Sequence, residues 1–263
     1  MEIKNIKLFP NNNEQSENIE RELVKKIEEN GFNLVKDNYD LAIAVGGDGS
    51  FLRMVRDNIF NSDIYYVGVN AGTLGFLQDI TVEEFNDFLE GIKSKSIKEE
   101  SLGIQETYIH TNTGTIKLNS LNEIAIRDKD LKVARLSIKI DDEELEYFVG
   151  DGILVSTSIG STAYNMSFGG SIVYNTLHTL QITPIAPLNS KSYRDLINSV
   201  IIPENKKIEI VPENEDLLLS VDGENYLIDN VRSIETVVDK KRIKCLRPKD
   251  YSFSKKINSK FLK

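Results

Sequence analysis

Residues Gly46-Gly47-Asp48-Gly49-Ser50 stand directly after the apolar run Leu41-Ala42-Ile43-Ala44-Val45 and before the helix-forming stretch Phe51-Leu52-Arg53-Met54-Val55. Glycines in such a place let the backbone approach a ligand closely and take positive φ. Their N–H groups, with those of the helix that follows, make an anion site. Gly46, Gly47 and Ser50 are therefore candidate phosphate-binding residues, and Arg53 could reach the same phosphate. A structural tight turn accounts for the same residues. The acid sharpens the question, because a carboxylate beside phosphates is repelled unless it holds a metal or accepts a proton. Both roles recur in phosphoryl transfer, so Asp48 is the candidate catalytic residue.

A second constellation is the run Gly150 to Tyr164, which holds six hydroxyl side chains, three glycines and Asp151. Serine and threonine hydroxyls and backbone N–H groups can bind a nucleotide, and Tyr164 can stack on a ring. A Ser/Thr-rich connection between strand and helix is the plainer reading. A third is Asn122-Glu123, ahead of Ile124-Ala125-Ile126. A buried polar pair is costly without partners, so it marks either an exposed strand end or a site for ribose hydroxyls or an adenine.

The elements that must position these residues fall into two textures. Over the first 100 residues strands and helices alternate. Ile3, Ile6, Leu8 and Phe9 mark a strand closed by Pro10, and Ile19, Leu23 and Ile27 mark a helix stopped by Gly31. Tyr65 to Val69 reads as a buried strand, and Thr81-Val82-Glu83-Glu84 as a capping box before Phe85, Phe88 and Leu89. This order implies a parallel sheet with right-handed crossovers. Beyond residue 100 helical stripes become scarce. Short strands are expected over 107–111, 115–118, 134–140, 145–149, 200–202, 207–211 and 217–221, with turns at Asn112-Thr113-Gly114 and Asp141-Asp142. The fold class expected is an α/β N-terminal domain (1–100) with a parallel sheet plus a mostly-β C-terminal domain (101–238). Residues 239–263 are expected to pack back on the first domain.

Composition narrows the partners. The net charge of −9 disfavours nucleic acid and anionic membranes as partners. One cysteine, Cys245, allows no internal disulfide, and His110 and His178 are the only histidines. No metal site is expected on the chain itself, and none of the chemistry points to a histidine triad. A polar N-terminus without a signal peptide and the absence of a long apolar run fit a cytoplasmic location.

In their order and spacing the three constellations resemble the NAD kinase family, from Gly46 to the segment Ser220-Val221-Asp222-Gly223. The resemblance implies transfer of a phosphoryl group from ATP, or inorganic polyphosphate, to the adenosine 2′-hydroxyl of NAD, giving NADP. It implies Asp48 as general base, with Gly49 as a backbone contact beside it. It implies substrate contacts at Asn122, Glu123 and Asp151, at Thr162, Ala163, Tyr164, Asn165 and Ser167, and at Ala186. It implies a divalent metal ion, Mg2+, travelling with ATP, and a homodimer or homotetramer. Two departures stand out: Ser158-Ile159 where the family usually has Pro-Thr or Pro-Ser, and Val149 where many members carry a basic residue. Two alternatives remain at this stage. A lipid kinase of the diacylglycerol or sphingosine type shares Gly-Gly-Asp-Gly but usually follows it with Asn-Glu, where this chain has Ser50-Phe51. A non-catalytic dinucleotide-binding sensor would not need Asp48.

Overall fold

The computed structural model describes residues 2–11, 14–72, 75–189 and 194–262. The chain divides into two compact units, residues 1–102 with 241–263 and residues 103–240. Asn12 and Asn13 of the first loop lie outside the described residues.

In the first unit, strands β1 (Asn5–Pro10), β2 (Asn33–Leu34), β3 (Leu41–Gly46) and β4 (Tyr65–Asn70) form a parallel sheet in the order β2-β1-β3-β4. All six residues of β3 are buried, as a central strand covered on both faces requires. Helix α1 (Glu14–Glu29) presents Leu23 and Ile27 to this core, and Gly31 follows it at φ +78°. Helix α2 (Asp48–Asp57) follows β3, and α3 (Phe85–Lys93) follows β4. The capping box is formed: the Glu84 amide donates to Thr81 Oγ1 at 3.3 Å, and the Thr81 amide to Glu84 Oε2 at 2.9 Å.

The second unit is built of antiparallel strands: β5 (Lys98–Thr111), β6 (Gly114–Ser120), β7 (Glu123–Asp128), β8 (Ala134–Ile140), β9 (Glu143–Thr157), β10 (Thr179–Pro187), β11 (Val200–Pro203), β12 (Ile208–Pro212), β13 (Leu217–Val221), β14 (Glu224–Ile228) and β15 (Val231–Arg247). Strands β5 and β15 each run across a boundary between the units. Asp141 and Asp142, at φ +49° and +69°, form the two-residue turn that joins β8 to β9. Such left-handed pairs match the twist of a hairpin. Strand β9 pairs with β8 through its first half, and with β7 and β10 through its second. Along β7, Ile124 and Ile126 enter the main core, while Ala125 packs on the opposite face with Leu154, Ile185 and Phe168. Burial on both faces explains why Ile124-Ala125-Ile126 is continuously apolar. The face carrying Ala125 is covered by the short helix α4 (Tyr164–Ser167) and Phe168.

Residues 241–263 belong to the first unit. Lys244 and Cys245 of β15 pair in parallel with Tyr65 and Tyr66 of β4, and helix α5 (Phe253–Phe261) follows, capped by Ser252. Periodicity marks neither α5 nor the strands β10 and β14. Among the described residues no helix is long and apolar enough to cross a membrane.

Candidate functional site

Sequence reasoning places Asp48 in a turn ahead of a helix. In the structure Asp48 is itself the first residue of α2, with Gly47 as the N-cap and no side chain capping the helix. The first-turn amides of α2 therefore lack the usual side-chain acceptor. The Asp48 carboxylate accepts two hydrogen bonds from the loop after β4, from the Phe76 amide at 2.8 Å and from the Leu77 amide at 2.8 Å. Each carboxylate oxygen keeps a second lone pair for a further donor. Gln78 closes the loop onto the same turn, donating from Nε2 to the Gly47 carbonyl at 2.6 Å. Gly75 is required at its position, because a Cβ there would overlap the Asp48 carboxylate.

The other residues of this turn differ in access. Gly47 and Gly49 are exposed, whereas Ser50 is buried with its hydroxyl against Gly46. Arg53 reaches back to Asn11 Oδ1 and the Pro10 carbonyl, at 3.3–3.4 Å. Sequence reasoning missed the loop 75–78 entirely. Its signal is Gly75 placed a few residues beyond the apolar strand β4.

In the second unit the structure brings Asn122, Glu123 and the Gly150–Tyr164 run together. The hydroxyls of that run serve the backbone first. Thr157 Oγ1 donates to the Leu121 carbonyl at 2.5 Å, its amide donates to the Asn122 carbonyl at 2.9 Å, and Ser156 Oγ approaches the same carbonyl. Ser161 Oγ donates to the Ser158 carbonyl at 2.7 Å and accepts from the Val173 amide at 3.0 Å. Gly160 lies so close to Asn122 that a Cβ would overlap its carbonyl. The turn that contains Ser158-Ile159 is thereby fixed against the start of β7.

Asp222 supports that start from the other side. Its carboxylate accepts from the amides of Leu121 and Asn122 at 2.8 Å and of Glu123 at 3.2 Å. Sequence reasoning noted Asp222 within a motif but gave it no task, and its turn-forming Asp-Gly pair was the available signal. Glu123 is 5% exposed, and its Oε2 is buried without a hydrogen-bond partner among the described residues. Burial, reinforced by the Asp222 charge, raises its pKa from the ordinary 4.5 to about 8, against the opposing pull of the Tyr164 amide. Glu123 therefore keeps its proton at neutral pH and can offer an O–H donor.

Around α4, Tyr164 and Ser167 are exposed, and Thr162 and Ala163 are half-buried. The Tyr164 hydroxyl accepts from Arg127 at 2.9 Å, with the Phe168 ring edge-on at 4.8 Å. Asn165 is fully buried, its amide linking the Ser161 carbonyl to Thr183 Oγ1. It ties α4 to β10 and has no exposed atom for a ligand. Asp151 is exposed on β9, and Ala186 is exposed at φ +45° in β10, opposite the Gly150 backbone. Among the described residues no cluster of three or more His, Cys, Asp or Glu side chains could hold a metal ion.

Residues 2–97 match the ATP-NAD kinase N-terminal domain, and residues 121–243 the ATP-NAD kinase C-terminal domain. An NAD kinase of Finegoldia magna is 37% identical over 87% of each chain, and one of Streptococcus gordonii is 35% identical over 98% of this chain and 96% of that one. The chain belongs to the ATP-NAD kinase family. It is a phosphotransferase, an NAD kinase by family, and the family match favours this reading over a lipid kinase or a non-catalytic sensor. The fold agrees with solved structures. A yeast NADH kinase complexed with NADH superposes with a TM-score of 0.85 over 100% of this chain and 88% of that one, at 22% identity. An NAD kinase from Archaeoglobus fulgidus in complex with ATP gives 0.71 over 92% of each chain, at 21% identity.

Proposed function

We propose that Asp48 is the general base of this NAD kinase, accepting the proton of the adenosine 2′-hydroxyl of NAD as that oxygen attacks the γ-phosphorus of ATP. The new O–P bond forms as the bond from the γ-phosphorus to the bridging oxygen breaks, and ADP leaves. The observation that carries the reading is the Asp48 carboxylate, held by two backbone amides with one lone pair open on each oxygen. The uncapped first turn of α2 supports phosphate contacts by the backbone of Gly46, Gly47 and Gly49, with Arg53 and Ser50 behind them.

Dinucleotide contacts are assigned to the second unit. Asn122 and Glu123 hold hydroxyl groups of the substrate, with the protonated Glu123 as donor. Thr162, Ala163, Tyr164, Ser167, Asp151 and Ala186 line the same substrate, and Tyr164 supplies a ring for stacking. Asn165 acts by holding α4. The divalent cation is assigned to the phosphates of ATP, as part of the donor substrate. It neutralises phosphate charge there.

The net charge of −9 supports a protein without nucleic-acid or membrane partners. The buried single thiol of Cys245 supports a cytoplasmic setting. A homodimer or homotetramer is proposed from the family resemblance alone. The deciding experiment measures NADP formation from NAD and MgATP by purified Asp48→Asn protein beside the parent, with NAD affinity by calorimetry. Loss of turnover with retained affinity supports the assignment, and parental turnover removes Asp48 from the chemistry.

A further inference from the structure

The loop that grips Asp48 is itself gripped from behind. The Phe76–Leu77 peptide donates its N–H to Asp48 Oδ1 at 2.8 Å. The carbonyl of that same peptide, Phe76 O, accepts a hydrogen bond from Lys256 Nζ at 2.8 Å. A trans peptide is planar, with its N–H and C=O directed to opposite sides. One rigid unit is thus clamped between the lysine and the acid. Lys256 is 6% exposed and belongs to α5. The helix meets the same loop by a second, apolar contact, since the Phe76 ring stacks on Phe261 at 5.3 Å and lies 6.2 Å from Phe253.

We propose that Lys256 is a positioning residue for Asp48, fixing the Phe76–Leu77 peptide so that its amide holds the carboxylate in one orientation. The proposal rests on Asp48 being the general base. Two physical effects act in the same direction. A donor on the carbonyl polarises the peptide and strengthens its N–H as a donor. Fixing the peptide also removes rotation of the carboxylate away from the attacking hydroxyl, and catalysis is steep in such misplacement. Asp79 keeps Lys256 in place, since its carboxylate pairs with both Lys256 and Arg247. Arg247 is also joined to Glu100 at 2.6 Å, so the buried acid at 79 retains a cation if Lys256 is removed.

The test uses Lys256→Met, Lys256→Arg and Asp48→Asn, alone and combined, with MgATP and NAD as substrates. Lys256→Met should lower kcat about tenfold or more, with KM for NAD and ATP within about threefold of the parent. Lys256→Arg, which can still bond the carbonyl and pair with Asp79, should recover most of that loss. In the Asp48→Asn background, Lys256→Met should cost nothing further, because both changes remove one function. A folded Lys256→Met protein with parental kcat overturns the proposal, as does an undiminished loss in the Asp48→Asn background. If Lys256→Met does not fold, Phe261→Ala weakens the same docking without disturbing a buried charge. It should lower kcat about threefold or more, and an unchanged kcat overturns the proposal. An Asp48→Asn protein as active as the parent would instead sink the base assignment itself.

Discussion

Asp48 and Glu123 are both carboxylates assigned to one reaction, and their surroundings are opposite. Asp48 is half-buried, and both of its oxygens accept backbone amides. Glu123 is buried beside a second carboxylate, with one oxygen unpartnered. The first arrangement keeps an acceptor ready at a helix N-terminus. The second keeps a proton on an acid, which converts it into a donor. Under the proposed assignment the contrast separates a group that acts on the moving proton from one that holds substrate by hydrogen bonding, a division of labour between two carboxylates set by environment.

The strongest way to break that comparison is to neutralise each acid with its amide. Asp48→Asn should lower kcat by about 10³-fold, within the range for loss of a general base, with NAD affinity nearly unchanged by calorimetry. Glu123→Gln mimics the protonated form already present, so NADP formation at pH 7 should survive it. Equal losses in the two variants would erase the distinction.

The second prediction concerns pH. Native Glu123, with its pKa raised to about 8, holds a proton that the unfolded chain releases near the ordinary 4.5. Its contribution is fully present below about 4.5 and is lost as pH rises through about 8. Parent stability in the second unit should therefore fall between those values, by up to a few kcal/mol. Glu123→Gln should flatten that slope in urea melts taken at several pH values. A parent and variant with the same slope would mean that Glu123 is ionised in the native state.

Much of this was legible in the sequence because it depends on local rules. The apolar run 41–45 before three glycines fixed the place of Asp48, the Thr81–Glu84 box formed as read, and Asp141-Asp142 made a hairpin turn. What was hidden depends on contacts distant in the chain. Nothing near Asp48 says that residues 76 and 77 hold it, or that Lys256 stands behind them. The full length of strand β15 was not legible because Asp239, Lys240, Lys241 and Arg242 interrupt its apolar alternation. The hydroxyl-rich run misled in a different way. Its abundance suggested ligand contacts, yet Ser156, Thr157 and Ser161 are buried on backbone partners, and the groups left open are fewer.

The glycines extend the comparison to shape. Gly75→Ala drives a methyl group into the Asp48 carboxylate, and Gly160→Ala drives one into the Asn122 carbonyl. Each should cost about 1–3 kcal/mol of stability, the usual cost of overpacking. Their kinetic signatures should differ. Gly75→Ala should act mainly on kcat and Gly160→Ala mainly on KM for NAD, as steady-state rates over a range of NAD would show. If both variants moved the same parameter, the two regions would not divide their work as proposed.

The smallest effect tests what Tyr164 supplies. Tyr164 is 38% exposed, and its ring stands edge-on to Phe168, with the Arg127 guanidinium 5.8 Å from its centroid. Its hydroxyl is already occupied by Arg127. If the ring is the working part, Tyr164→Phe should leave KM for NAD within about twofold, whereas Tyr164→Ala should raise it about tenfold, the scale of one base-stacking contact. If the hydroxyl were the working part, both variants would raise KM alike. The Arg127 side chain adds a control, because its Nε is buried without a partner among the described residues. Tyr164→Phe removes one more acceptor from that guanidinium, so a stability loss of about 1 kcal/mol is expected even where KM is unmoved. A loss of stability without a change in KM would assign the hydroxyl to holding Arg127 and leave the ring to the dinucleotide.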